Sequence, residues 1–166
     1  MVKNAPFLSR SGPKQWLTQG YYFWTDSDHF AHKWGQNSYN NSYAILECMI
    51  EVDEKLLLDL VGSTADQLYF DKMLRIYKDR LKSAGQSESA TVSAVISHMR
   101  ELTKDYPGTF PFAAIKAQDK LRRPEISFNG GREMMPLGIQ RLQLCLFENF
   151  IHLLKSKNIV HPSDFV

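Results

Sequence analysis

An α+β domain built on a split antiparallel β-sheet with helices is the fold the sequence predicts, and three observations predict it. Short aromatic or apolar stretches of strand length occur in both the first and the last third of the chain. Two longer segments with apolar residues at spacings of three and four occupy the middle. Strands and helices therefore fall in groups rather than in strict alternation, the order expected of an α+β domain.

The elements follow in order. Ala5 to Arg10 reads as an edge strand, because Pro6 has no N–H to give to a ladder. Ser11-Gly12-Pro13 signals a turn, and Lys14 to Thr18 about one turn of helix. Tyr21 to Trp24 follows Gly20 as a short strand of four aromatics. Asp26 or Ser27 is placed to cap a helix on which Phe30 and Trp34, four apart, share a face. A strand feeding at once into an aromatic-faced helix makes a narrow cleft whose flat walls suit a planar ring.

Gln36 to Asn41 is a loop by composition. Tyr43 to Val52 reads as a largely buried strand, with Glu47 and Glu51 facing solvent. Lys55 to Val61 fits a short helix or a further strand ended by Gly62. Thr64 to Leu81 is predicted as a helix with a broad apolar face, capped by Ser63 or Thr64. A second helix is expected from about Ala90 to Lys104, with His98 beside its apolar face in a structural or surface role. Pro107-Gly108 is a turn, and Phe110 to Ala117 a strand. Lys120, Arg122 and Arg123 form a basic loop, Glu125 to Phe128 a short strand, and Asn129-Gly130-Gly131 its end. Ile139 to Phe147 reads as a half-buried strand, and the apolar segment with Phe150, Ile151, Leu153 and Leu154 docks on the core.

Composition bounds the function. At 166 residues the chain reads as one domain, residues 1–166, and a hydrophobic fraction of 43% calls for a packed core. A formal charge of +2, from 20 basic and 18 acidic residues, is too balanced to signal nucleic-acid binding. Cys48 and Cys145 both lie in apolar runs and read as free buried thiols. Met1 to Asn4 starts no apolar run of signal-peptide length and nothing approaches a membrane span, so a cytoplasmic protein without a membrane is expected. There is no phosphate loop and no dinucleotide glycine fingerprint. His29 and His32, three apart, lack a third ligand, so no metal is expected.

The run Gly20-x-Tyr22-Phe23-x-Thr25, a polar turn, then a helix with Ala31 and an aromatic, resembles the second motif of the ADP-ribosyltransferase superfamily. The resemblance covers roughly the first 35 residues, and beyond them only element order and Gln143. It implies an ADP-ribosyltransferase-like fold and NAD as substrate, with ADP-ribose moved to a macromolecular acceptor, either protein or RNA/DNA. For a small chain it further implies a bacterial toxin or phage-defence effector, often held in check by an inhibitory antitoxin. In this resemblance Ser9 and Arg10 hold the NAD, Tyr22, Phe23 and Trp34 wall the nicotinamide, and Gln143 orients the ribose. Tyr22 and Gln143 are the implied catalytic residues. Two departures matter: no histidine precedes His29, and Gln143 stands where the family usually has a glutamate. Both favour the competing reading, a non-catalytic NAD or nucleotide-binding module of the same fold.

Overall fold

The computed structural model describes residues 4–10, 12, 15–87, 89–119 and 139–163. The expected basic loop (Lys120, Arg122, Arg123), the strand Glu125 to Phe128 and its glycine end lie outside the described residues, as do Ser11, Pro13 and Lys14. The described strands are β1 (Tyr21–Trp24), β2 (Ile45–Ile50), β3 (Leu57–Asp59), β4 (Ala114–Gln118), β5 (Leu142–Leu146) and β6 (Leu154–His161). The helices are α1 (His29–Tyr39), α2 (Thr64–Ser83) and α3 (Val92–Asp105).

Two sheets form, as a split sheet requires. One has four strands in the order β1-β5-β4-β3, and the other pairs β2 with β6. The first is mixed rather than antiparallel throughout. β5 runs antiparallel to β1 and to β4, but β3 and β4 are parallel, in register Leu58↔Ile115. Two parallel neighbours need a long crossover, and α2 and α3 supply it between Asp59 and Ala114.

Both crossover helices begin on side-chain caps. The Ser63 and Thr91 hydroxyls accept from the Asp66 and Ala94 N–H groups, leaving fewer orphan donors in each first turn. Val95, Ile96 and Met99 of α3 and Met73 of α2 cover the sheet face that carries Leu58, Ile115, Ala117 and Cys145. The broad apolar face expected of α2 is only partly used. Met73 is its one buried residue, while Leu68 and Ile76 are exposed.

Several expected boundaries move. Ala5 to Arg10 is no strand, for among the described backbone bonds only that from the Ser9 N–H to the Gly20 carbonyl, at 3.0 Å, ties it to a neighbouring segment. Of the helical turn expected from Lys14 to Thr18, the described residues are not helical, with bends at Trp16 and Leu17. The expected loop after Gln36 is still helix up to Tyr39, and α1 ends on left-handed Asn40, a residue that tolerates that conformation. β2 is shorter than expected and only half-buried, since its single partner is the largely exposed β6. The segment after Asp53 is both things expected of it, a 3-10 turn and then β3.

Candidate functional site

Among the described strands β1 pairs only with β5, and β2 only with β6, so each lies at the edge of its described sheet. Between β1 and α1 on one side and β2 on the other lies a cleft of about 1050 Å³. Phe23 and Trp34 form part of its aromatic wall, and Ile45 to Cys48 face them. The cleft anticipated at the strand–helix junction is therefore present, with a second sheet as its far wall.

Local chemistry builds the junction. Thr25 N–H donates to the Leu142 carbonyl at 3.2 Å, carrying the β1 ladder one residue past Trp24. Asp26 then reverses the chain in the left-handed region, at φ 69°. The N-cap of α1 is Asp28 rather than the expected Asp26 or Ser27, and its side chain makes no capping bond; the Ser27 hydroxyl one residue earlier accepts from the His29 N–H at 3.2 Å. Phe30 is buried against Trp24, their ring centres 5.6 Å apart. One turn on, Trp34 is 53% exposed at the rim. Arg141 backs the pair: its guanidinium lies 5.3 Å from the Trp24 ring centre and 3.0 Å from Asp119.

The sequence-predicted site residues divide. Tyr22, Phe23 and Trp34 line the cleft. The Tyr22 phenol, however, turns into the core, donating to the Thr18 carbonyl at 2.7 Å and accepting from the Leu17 N–H at 3.2 Å. Burial, reinforced by the neighbouring Cys145 thiol, pushes that phenol well above its ordinary range. Its role is to fix the strand. Gln143 pairs with Trp24 in register and accepts from the Trp16 indole N–H at 3.0 Å. It is not among the cleft-lining residues. Ser9 and Arg10 do not line it either. The Ser9 hydroxyl accepts from the Gln15 amide (2.7 Å) and the Gly20 N–H (3.1 Å), while Arg10 is exposed.

A second group at the cleft brings together residues far apart in sequence. The Tyr43 hydroxyl is 2.9 Å from His32 Nδ1, and His32 Nε2 is 3.5 Å from the Asp28 carboxylate. The His161 ring stacks on Tyr43 at 4.8 Å and meets His32 edge-on at 4.8 Å. Gly35 leaves room for the Tyr43 ring, for a Cβ there would stand 2.3 Å from it. Tyr43 and Asp28 line the cleft. Sequence reasoning assigned neither a role. The i, i+4 spacing of Asp28 and His32 was a readable signal, whereas the approach of His161 was not.

The cleft carries Asp26, Asp28 and Glu47, and among its described lining residues no lysine, arginine or histidine. One ammonium stands beside it, where Lys157 donates to the Ala5 carbonyl at 2.6 Å. Burial pushes the Cys48 thiol up, and Lys157 pulls it partly back. Among the described residues no group of three histidine, cysteine or acidic side chains is arranged to hold a metal, and no helix is long and apolar enough to cross a membrane. Comparison with protein-family models, curated proteins and solved structures finds no match to this chain.

Proposed function

We propose that the protein takes the nicotinamide end of NAD in this cleft and transfers ADP-ribose to a macromolecular acceptor. One observation carries the reading. The aromatic strand–helix junction that resembles the ADP-ribosyltransferase motif is also a wall of a ligand-sized cleft between two sheet edges. The chemistry of the lining supports it. Nicotinamide joined to ribose is a pyridinium, a flat cation, and aromatic faces with nearby carboxylates favour such a ring. The same carboxylates favour the positive charge that grows on the ribose as nicotinamide leaves. Phe23 and Trp34 are the residues placed to hold the ring, and Tyr22 holds the strand beneath it. By the same resemblance the proposal extends to a toxin or phage-defence effector with an inhibitory antitoxin as partner.

A second reading, a binding module without transfer, is favoured by the placement of Gln143, whose amide is taken by Trp16 on the core face. Incubation with labelled NAD and a lysate containing protein, RNA and DNA separates the two. Label on a polymer with release of nicotinamide is the result expected of transfer. Trp34→Ala should weaken NAD binding by about tenfold while leaving the fold intact, because the indole is half exposed. NAD bound in calorimetry without nicotinamide release supports the module. Neither binding nor release rejects both.

A further inference from the structure

We propose that Tyr43, His32 and Asp28 form a proton relay that acts as the general base of the cleft. The inference rests on the transfer reading only for the identity of the group that loses the proton. Its geometry is independent of that reading.

An Asp28 carboxylate can only accept, so a neutral His32 turns its Nε2–H toward it across 3.5 Å. Nδ1 is then the lone-pair nitrogen, and the Tyr43 hydroxyl donates to it across 2.9 Å. The phenol oxygen keeps its lone pairs as acceptors, and Tyr43 is among the residues that line the cleft. The ring has little freedom to turn away, stacked on His161 and seated on Gly35. A hydroxyl with a base beside it, and a carboxylate orienting that base, is the arrangement that makes a weak oxygen base effective.

In the proposed transfer, the hydroxyl or amine of the acceptor attacks the ribose carbon that bears nicotinamide. Its proton passes to the Tyr43 oxygen as the phenol proton passes to His32 Nδ1. The bond to nicotinamide breaks with its electron pair on the ring nitrogen, so the pyridinium leaves neutral. Tyr43 ends as a phenol and His32 as an imidazolium facing Asp28, which returns its proton to water.

The test reads phenol reactivity in the full chain with a small arylsulfonyl fluoride, each tyrosine followed by peptide mass spectrometry. Tyr39 is 57% exposed and serves as the internal reference. Tyr43 should label about tenfold faster than Tyr39 despite its lower exposure, the scale of modest general-base assistance. Asp28→Asn and His32→Ala should remove that advantage, and added imidazole should restore it in His32→Ala. A clamp that only holds α1 against β6 predicts none of this. Tyr43 labelling no faster than Tyr39, or a rate unmoved by Asp28→Asn, overturns the relay. Asp28 is largely exposed, so that variant carries the test if His32→Ala fails to fold. Nicotinamide release is measured separately. An activated Tyr43 without release leaves the relay standing and removes the transfer, and release with an unactivated Tyr43 does the reverse.

Discussion

Gly20→Ala is the perturbation whose cost can be worked most directly from the structure. A Cβ on Gly20 would lie 2.5 Å from Cys145 Sγ and 2.6 Å from the Leu146 carbonyl oxygen. Ordinary contacts need about 1 Å more than this. A flexible side chain would swing away, but the Leu146 carbonyl belongs to β5, which is held between β1 and β4. The strand pair must therefore spread at the register Tyr21↔Leu146. Overpacking of this kind costs about 1–3 kcal/mol, and backbone contact puts it in the upper half of that range. For a chain of this size the melting temperature should fall by about 4–12 °C. Calorimetry and urea unfolding read it, with the midpoint shifting at constant slope. Gly12→Ala is the control, since a Cβ there meets nothing within 4 Å among the described residues. A Gly20→Ala variant within about 0.5 kcal/mol of wild type would refute the packing argument.

Tyr22→Phe should cost about 1–3 kcal/mol in urea unfolding, because it strips the buried Leu17 N–H and Thr18 carbonyl of their partner. Wild-type stability would mean those groups find water instead. Iodoacetamide should label Cys48 in the native protein and Cys145 only in denaturant, since burial pushes the latter thiol up to about 12 and leaves it no exposed surface. Equal native labelling of both thiols contradicts the burial. At Glu148, burial pushes the carboxyl up, but Arg100 at 2.7 Å outweighs it and leaves the group below its ordinary value. Its folded value thus lies beneath its unfolded one, so the stabilisation is complete above the unfolded carboxylate range and is lost as pH falls through the folded value. Glu148→Gln should lower stability at neutral pH and flatten the acid limb of the stability profile. An unchanged acid limb would assign the pair no part in it.

The aromatic junction was legible because its parts are sequence neighbours. Gly20 gives space, Tyr21 to Trp24 supply the strand, and the polar turn from Asp26 to Asp28 leads into the helix, all within a dozen positions. The helices α2 and α3 were legible for the same reason, their apolar residues recurring at spacings of three and four, with Ser63 capping α2; the Thr91 cap of α3 was not read, since that helix was expected from about Ala90. β6 was not, since Lys155, Ser156, Lys157 and Asn158 are all exposed and give no alternation to read. The direction of β3 against β4 was hidden too, because three residues of strand say nothing about which neighbour they meet. Trp16 claiming Gln143, and His161 closing on Tyr43, depend on tertiary packing between distant segments, which no local pattern encodes.

The strand order also governs how the chain comes to be folded at all. β5 lies between β1 and β4, and β6 is the one partner of β2 among the described strands, so both described sheets are closed by segments from Leu142 onward. A nascent chain halted before Leu142 holds β1 and β4 with the central strand missing, and β2 with an open ladder on each side. Among the described elements, the three helices and the parallel β3–β4 pair have their sequence complete at that stage. The candidate cleft, whose two walls belong to different sheets, therefore comes into being only once β5 and β6 have been made rather than growing with the chain.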